Sequence, residues 1–188
     1  NFAMLKAFAG TANAYVKWYP AWALNFDGSI FKLDYHNEDH FVREVPAVFE
    51  LVEKACKMYL WTGDKNYVDD EVLWNYYSKA VTDFITIHDH QIPNGVAEGK
   101  GLGIFDGAAS YDESNGEAVV ESGDAIGSQF QALLAYAHLS LEKGDLAKYQ
   151  EFTDKAQKLK DYFNNDWGIR NTQSGYVRGY EANGKAYN

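Results

Sequence analysis

Acidic side chains are concentrated in one stretch of this chain, residues 89–124, and are the residues most suited to chemistry. Neighbouring carboxyl groups can share acid–base catalysis, because one stays protonated while the other is ionised. The stretch also contains several glycines, which let the backbone bend over a ligand. After Asp89 come the carboxylates Glu98, Asp106, Asp112, Glu113, Glu117, Glu121 and Asp124. We therefore expect this stretch to form one wall of an active site.

Three of these carboxylates are the best candidates for a catalytic role. Asp124 immediately precedes an apolar periodic segment, so it is expected at the start of a helix. There it can act as a catalytic acid, or simply as the helix N-cap. Asp112 and Glu113 compete for the same role, although the turn residues that follow them are also typical of a solvated loop.

Aromatic and polar side chains suited to binding a ligand lie mostly outside this stretch, with Tyr111 inside it. Aromatic residues make up 16% of the chain, and their large amphipathic rings suit ligands with apolar faces and polar edges. A basic residue next to an acidic one precedes the second apolar segment and offers hydrogen bonds to hydroxyl groups. The candidate substrate-binding residues are Trp18, Tyr19, Trp22, Arg43, Glu44 and Tyr111.

Charge and composition exclude several other functions. The net charge of −10 and the lack of a basic cluster argue against nucleic-acid binding. No apolar run is long enough to span a membrane. The histidine pairs His36/His40 and His88/His90 lack the converging ligands of a zinc site, so no metal is expected, and carboxylate chemistry requires no cofactor. The compartment stays open, with an exported location preferred to the cytoplasm.

Apolar residues recur every three or four positions in several segments, the spacing of an amphipathic helix. These segments cover residues 5–16, 45–59, 72–87, 126–141 and 149–163. Pro46 suits a first helical turn, Gly63 and Gly144 suit helix ends, and Asp69 or Asp70 suits an N-cap. The sequence therefore predicts an all-α chain of antiparallel helical hairpins.

The two predicted hairpins resemble each other. The turn at Gly63-Asp64 is echoed by Gly144-Asp145 at an offset of 81 residues, which suggests one repeated unit. Near the C-terminus, Asn183-Gly184 predicts a small β-hairpin. Repeated hairpins are typical of a solenoid or a closed toroid, and we expect one domain that is a fragment of a longer protein. Apolar hairpin faces left uncovered in such a fragment are expected to cause self-association.

Helical hairpins joined by acidic, aromatic-rich loops resemble the six-hairpin glycosidase superfamily, whose members form (α/α)6 toroids. The segment Glu121-Ser122-Gly123-Asp124 is similar to the Glu-Ser-Gly-x-Asp motif of the trehalase-like branch, with the aspartate one residue earlier. The resemblance implies inverting hydrolysis of a glycosidic bond, with Asp124 as the general acid. It also implies that residues 1–188 form roughly half of an (α/α) toroid catalytic domain. The second carboxylate would then lie beyond Asn188, so the isolated chain is expected to be inactive.

Two other functions are compatible with the same sequence. A non-catalytic carbohydrate-binding protein would use the same scaffold and the same aromatic residues. An α-solenoid interaction module would stack its hairpins openly, although the 81-residue offset differs from the shorter period of such repeats. The partner expected from the main interpretation is a carbohydrate substrate, and a second essential carboxylate would separate an enzyme from a binding protein.

Overall fold

The computed structural model describes residues 1–14, 18–33, 43–99, 109–110, 119–170 and 177–187. Helices dominate this part of the chain. The α-helices are α1 (Phe2–Ala14), α2 (Val45–Thr62), α3 (Asn66–Asp69), α4 (Glu71–Lys79), α5 (Ile85–His88), α6 (Gly123–Glu142) and α7 (Leu146–Asn165). A π-helical segment, Ala80–Phe84, joins α4 to α5, and a 3-10 turn, Trp167–Ile169, follows α7. The predicted helical character is confirmed.

The helix ends lie where the sequence signals predict them. Pro46 is in the first turn of α2, and Gly63 ends the helix in the left-handed conformation with φ of +67°. Asp70, rather than Asp69, caps α4 by accepting hydrogen bonds from the amides of Val72 and Leu73. Gly144 takes the same left-handed conformation after α6, with φ of +78°.

Two helical features lie outside the sequence prediction. The short helix α3 occupies part of the first hairpin turn. The π-helical segment interrupts the third predicted helix, yet α4, the segment and α5 continue one another without a break in the chain. A π-helical turn contains one extra residue per turn, and such turns often occur at functional sites. Apolar periodicity carries no signal for that insertion.

The strands form two small antiparallel sheets. Strands β4 (Gly179–Glu181) and β5 (Ala186–Tyr187) flank the Asn183-Gly184 turn, which confirms the predicted β-hairpin. Strand β3 (Val119–Ser122) adds to this sheet by pairing with β4. Separately, β1 (Ala23–Leu24) and β2 (Ile30–Lys32) form a two-stranded ribbon. Neither β3 nor the ribbon was expected, because both are too short for a clear alternating pattern.

The core lies among α1, α2, the α4–α5 rod, α6 and α7. Helix α6 is central, since it packs against both α2 and α7. Large aromatic side chains fill this core at 0–1% exposure, namely Phe49, Tyr76, Tyr77, Phe84 and Tyr136. Each of these side chains contributes about 2 kcal/mol or more through burial of apolar surface. Two packed helical hairpins result, and their place in a closed ring stays a prediction.

Candidate functional site

The helices α2 and α6 run in the same direction, which gives the bundle two different ends. Near the ends of both helices, the Tyr59 hydroxyl donates to Glu142 Oε2 at 2.5 Å. The rod of α4 and α5 runs the opposite way, because Phe84 stacks edge-on against Phe49 near the start of α2. The starts of α2 and α6 and the end of α5 therefore share one end, called the loop end. The turns at Gly63 and Gly144 form the turn end.

Asp124 lies in the first turn of α6 at the loop end, and its side chain is exposed. Ser122 is the N-cap of this helix, since its hydroxyl accepts a hydrogen bond from the Ala125 amide. Asp124 is therefore not the N-cap. Its Oδ2 accepts a hydrogen bond from the Ser110 hydroxyl at 3.0 Å, and its Oδ1 accepts from the Ala125 amide. A carboxylate here is favoured by the helix dipole.

Arg43 and Glu44 lie just before α2, at the same end. Both side chains are buried, and Arg43 Nη1 donates to Glu44 Oε2 at 2.5 Å. Arg43 Nε also donates to the Pro20 carbonyl at 3.2 Å. A buried charged pair is stable only when its hydrogen bonds are satisfied, so this pair fixes the segment before α2. Arg43 also lines a pocket of about 190 Å³ together with Trp22.

The three clustered aromatic residues have different environments. Tyr19 is buried, and its hydroxyl lies 3.1 Å from His88 Nε2. Trp18 is half-buried in a left-handed backbone conformation, with Lys79 Nζ 5.9 Å from its ring centroid. Trp22 is 46% exposed. Among the three, Trp22 therefore offers the most ring surface to a ligand, whereas the Tyr19 ring packs edge-on against Phe84.

The buried pair of Tyr19 and His88 has a defined protonation state. His88 Nδ1 lies 2.8 Å from the Phe84 carbonyl, which only accepts, so Nδ1 carries the proton and donates. His88 Nε2 then accepts from the Tyr19 hydroxyl. Burial lowers the pKa of His88 to about 4, although the hydrogen bond to Phe84 opposes this shift. Burial also raises the pKa of Tyr19. Both groups are neutral over the ordinary range of pH.

Glu121 forms a second buried network, although no role was predicted for it beyond its place in the Glu-Ser-Gly-Asp segment. Its side chain is fully buried on β3. Oε1 accepts a hydrogen bond from Asn94 Nδ2 at 2.6 Å, and Oε2 accepts from the Tyr162 hydroxyl at 2.7 Å. Arg170 Nη1 lies 3.8 Å from Oε2. Burial and the hydrogen bond to Glu121 raise the pKa of Tyr162. Glu121, just before the start of α6, thus connects β3 to Asn94, to Tyr162 of α7 and to Arg170.

Two acidic side chains, one near each end of residues 89–99, accept hydrogen bonds from backbone amides within this segment and hold it in place. Asp89 accepts from the amides of Asn94 and Gly95 at 2.8 and 2.9 Å. Glu98, fully buried, accepts from the amides of Gln91 and Ile92 at 2.7 and 2.6 Å. Burial raises the pKa of Glu98, and the charge of Glu121 adds to this shift, whereas the amide hydrogen bonds oppose it.

Gln129, on α6, connects the same segment to the helical core. Its Oε1 accepts from the Ala97 amide at 2.8 Å, and its Nε2 donates to the Gly95 carbonyl at 2.7 Å. It is 1% exposed. A polar side chain buried to this degree costs free energy unless both of its functions are paired, as they are here. The part of the acidic stretch before residue 100 is therefore preorganised.

Asp112, Glu113 and Tyr111 lie outside the described residues, as do His36 and His40. Within the described ranges, no group of three or more metal-binding side chains converges on a common point. In the same ranges, no helix is both long and apolar enough to cross a membrane.

The loop end therefore combines an exposed carboxylate, Asp124, with a tryptophan-lined pocket and a rigid polar interior. Such an end can present a carboxylate and an aromatic ring to a polar ligand. Neither Glu98 nor Glu121 was a candidate, and the only sequence signal for them is that each follows a run of small or β-branched apolar residues. Comparison with family models, with curated proteins and with solved structures found no match.

Proposed function

We propose that this chain acts in inverting glycoside hydrolysis, with Asp124 as the general acid that protonates the leaving oxygen. The observation that carries the proposal is the exposed Asp124 carboxylate in the first turn of α6. Asp124 lies at the loop end of the bundle, where α2 also begins and where the acidic stretch ends in the first turn of α6. The motif Glu121-Ser122-Gly123-Asp124 supports the same assignment through its resemblance to the glycosidase superfamily.

The side chain of Asp124 is exposed and oriented, so a substrate can reach it. The Ser110 hydroxyl donates to Oδ2 at 3.0 Å and so orients the carboxyl group. A general acid must be protonated at the working pH, which requires nearby negative charge or burial. Asp112 and Glu113 are the proposed sources of that negative charge. No residue of the described ranges is proposed as the complementary base.

Trp22 and Arg43 are proposed to bind part of the substrate. Both line the pocket of about 190 Å³ between α1 and α2, whose rim also carries Glu50 and Lys54. The apolar face of a sugar ring stacks on tryptophan, while its hydroxyls bond to charged side chains at the rim. The ion pair with Glu44 holds the Arg43 guanidinium at the pocket wall, whereas the buried Tyr19–His88 pair supports the segment before Trp22 and does not contact the sugar.

The test is a screen with aryl glycosides and short oligosaccharides on the protein expressed from its complete reading frame. Hydrolysis should be found, and NMR of the first product formed should show an inverted anomeric configuration. Asp124→Asn should lower kcat on oligosaccharides by about 10² to 10⁴-fold, the usual contribution of a general acid. A retained configuration would contradict the inverting mechanism.

Glu71→Gln is the matched control. Glu71 is an exposed carboxylate in the first turn of α4, at the turn end, so its loss removes the same favourable helix-dipole interaction as the loss of Asp124. This variant should keep full activity. A protein that binds oligosaccharides without hydrolysing them would support the carbohydrate-binding alternative, and a protein that does neither would overturn both.

A further inference from the structure

A cleft separate from Asp124 lies between the two helical hairpins. It has a volume of about 460 Å³. One wall is formed by the π-helical segment and α5, through Val81, Thr82 and Thr86, and the other by α7, through Lys155, Lys158 and Leu159. Gln129 and Leu133 of α6 form its floor. On α6 these two residues lie on roughly the opposite side of the helix from Asp124.

One end of the cleft is a rigid hydrogen-bonding surface formed by Asp89, Asn94 and Gly95. The amides of Asn94 and Gly95 bond to the Asp89 carboxylate, and Gln129 bonds to the Gly95 carbonyl. Because these groups are already ordered, binding a ligand here costs little conformational entropy. Carboxylate, amide and carbonyl oxygens in fixed positions suit the hydroxyl groups of a small polar molecule.

The α7 wall carries positive charge in a protein whose net charge is −10. Lys155 and Lys158 are three residues apart on the helix, so their side chains lie on the same face. Lys155 Nζ forms an exposed ion pair with Glu151 at 2.6 Å, which contributes little and can be exchanged for a ligand. Within the described part of the chain, Lys158 forms no ion pair, and this leaves its ammonium group to bind an anion.

We propose that this cleft is a binding site for a small hydroxylated anion, of the chemical class of sugar acids and sugar phosphates. The anionic group binds Lys158 and Lys155, and the hydroxyl groups bind the surface around Asp89 and Asn94. The volume is within the usual range for small-molecule sites and suits one or two sugar rings. The π-helical segment supports a binding role, because such irregular turns are frequently retained at functional sites. This proposal does not depend on the glycosidase proposal.

Calorimetric or NMR titration of the 188-residue chain tests the site with four probes. Glucuronate and glucose 6-phosphate are expected to bind, and the tighter of the two identifies the preferred anionic group. Glucose lacks the anionic group, and inorganic phosphate lacks the sugar hydroxyl groups. Each should therefore bind at least about fivefold more weakly. Equal binding of glucose, or of inorganic phosphate, would overturn the proposal, as would the absence of binding by every probe.

Lysine variants locate the binding and separate it from non-specific charge attraction. Lys158→Gln should weaken binding of the charged probes by about fivefold or more, since it removes a charge-assisted hydrogen bond. Lys160→Gln is the matched control, because Lys160 lies on the same helix but lines a different groove. Equal weakening by both variants would overturn the proposal. Asp124→Asn should leave binding at this cleft unchanged, so the two proposed sites succeed or fail independently.

Discussion

The two ends of the helical bundle are stabilised by different means. At the turn end, Tyr59, Lys65 and Glu142 form an exposed hydrogen-bonded cluster next to glycine-terminated turns. Hydrophobic side chains are also exposed there, with Leu60 at 66% and Trp61 at 79%. At the loop end, by contrast, charged and polar side chains are buried and hydrogen-bonded. They are Arg43, Glu44, His88, Glu98, Glu121 and Gln129.

This difference indicates which end is built for function. Burying a charged or polar side chain costs free energy, and an apolar residue of similar size would often stabilise the fold equally well. The turn end also buries a polar side chain, Ser140, but it relies mainly on local signals at Gly63 and Gly144 to reverse the chain. Buried networks at the loop end instead hold irregular backbone in one conformation, which is what a binding or catalytic site requires.

The largest effect is expected from removing the centre of the loop-end network. Glu121→Ala leaves Asn94 and Tyr162 without their acceptor and should lower the free energy of unfolding by about 4 kcal/mol. Glu142→Ala, at the exposed turn-end cluster, should leave it nearly unchanged. Urea denaturation followed by circular dichroism measures both. Similar losses in the two variants would contradict the contrast between the ends.

The pH dependence of stability gives a second contrast, through His88 at the loop end. Its folded pKa of about 4 is below the value near 6.5 of an unfolded histidine. Its neutral form therefore contributes stability that is complete above pH 6.5 and is lost as the pH falls towards 4, by about 3 kcal/mol. His88→Gln should remove this part of the pH dependence.

Denaturant titrations at several values of pH between 4 and 7 provide the comparison. His138→Gln is the control, because His138 is exposed near the turn end of α6. The control should keep the pH dependence of the unaltered protein. An unchanged slope in His88→Gln would show that His88 is not protected from protonation.

A smaller effect is expected at Glu98, whose carboxylate accepts two backbone hydrogen bonds. An amide side chain has one acceptor oxygen, so Glu98→Gln loses one bond and should cost about 2 kcal/mol. Hydrogen exchange of the Gln91 and Ile92 amides should become faster, while exchange in α2 near the turn end stays the same. Burial raises the pKa of Glu98, so the stability that its protonated form contributes is lost as the pH rises through that pKa. The pH dependence from Glu98 is therefore opposite in sign to that from His88.

The smallest effect is expected at the turn end itself. Tyr59→Phe removes a hydroxyl that bonds to Glu142 and accepts from Lys65, all on the surface. Solvent replaces these bonds, so the midpoint of thermal unfolding should shift by no more than the error of the measurement. Tyr162→Phe is the matched change at the loop end, where the lost hydroxyl leaves Glu121 with one fewer donor. A larger loss in Tyr59→Phe than in Tyr162→Phe would reverse the contrast.

The helices and their ends were predictable because their signals are local. Apolar spacing defines the core faces, and Pro46, Gly63, Asp70 and Gly144 mark boundaries through the conformation of their own backbone. The β-hairpin at Asn183-Gly184 was predictable for the same reason. Strand β3 was not, because its partner β4 follows it only after two complete helices.

The candidate site was predictable only in part. Asp124 was correctly placed at a helix start, yet its capping alternative fails because Ser122 occupies the N-cap. The role of Glu121 depends on Asn94, Tyr162 and Arg170, which come from three distant segments and share no sequence pattern. Tyr19 is of a residue type that often stacks on ligands, but its side chain is buried against His88. The roles of Asp112, Glu113 and Tyr111 stay predictions.

The most direct test of the proposed chemistry compares substrates with good and poor leaving groups. A general acid matters most when the leaving oxygen is basic, as in an oligosaccharide, and least for an aryl glycoside with an acidic phenol. Asp124→Asn should therefore abolish oligosaccharide hydrolysis while retaining much of the activity on a dinitrophenyl glycoside. Equal losses on both substrates, or full oligosaccharide activity in Asp124→Asn, would contradict the assignment of Asp124 as the general acid.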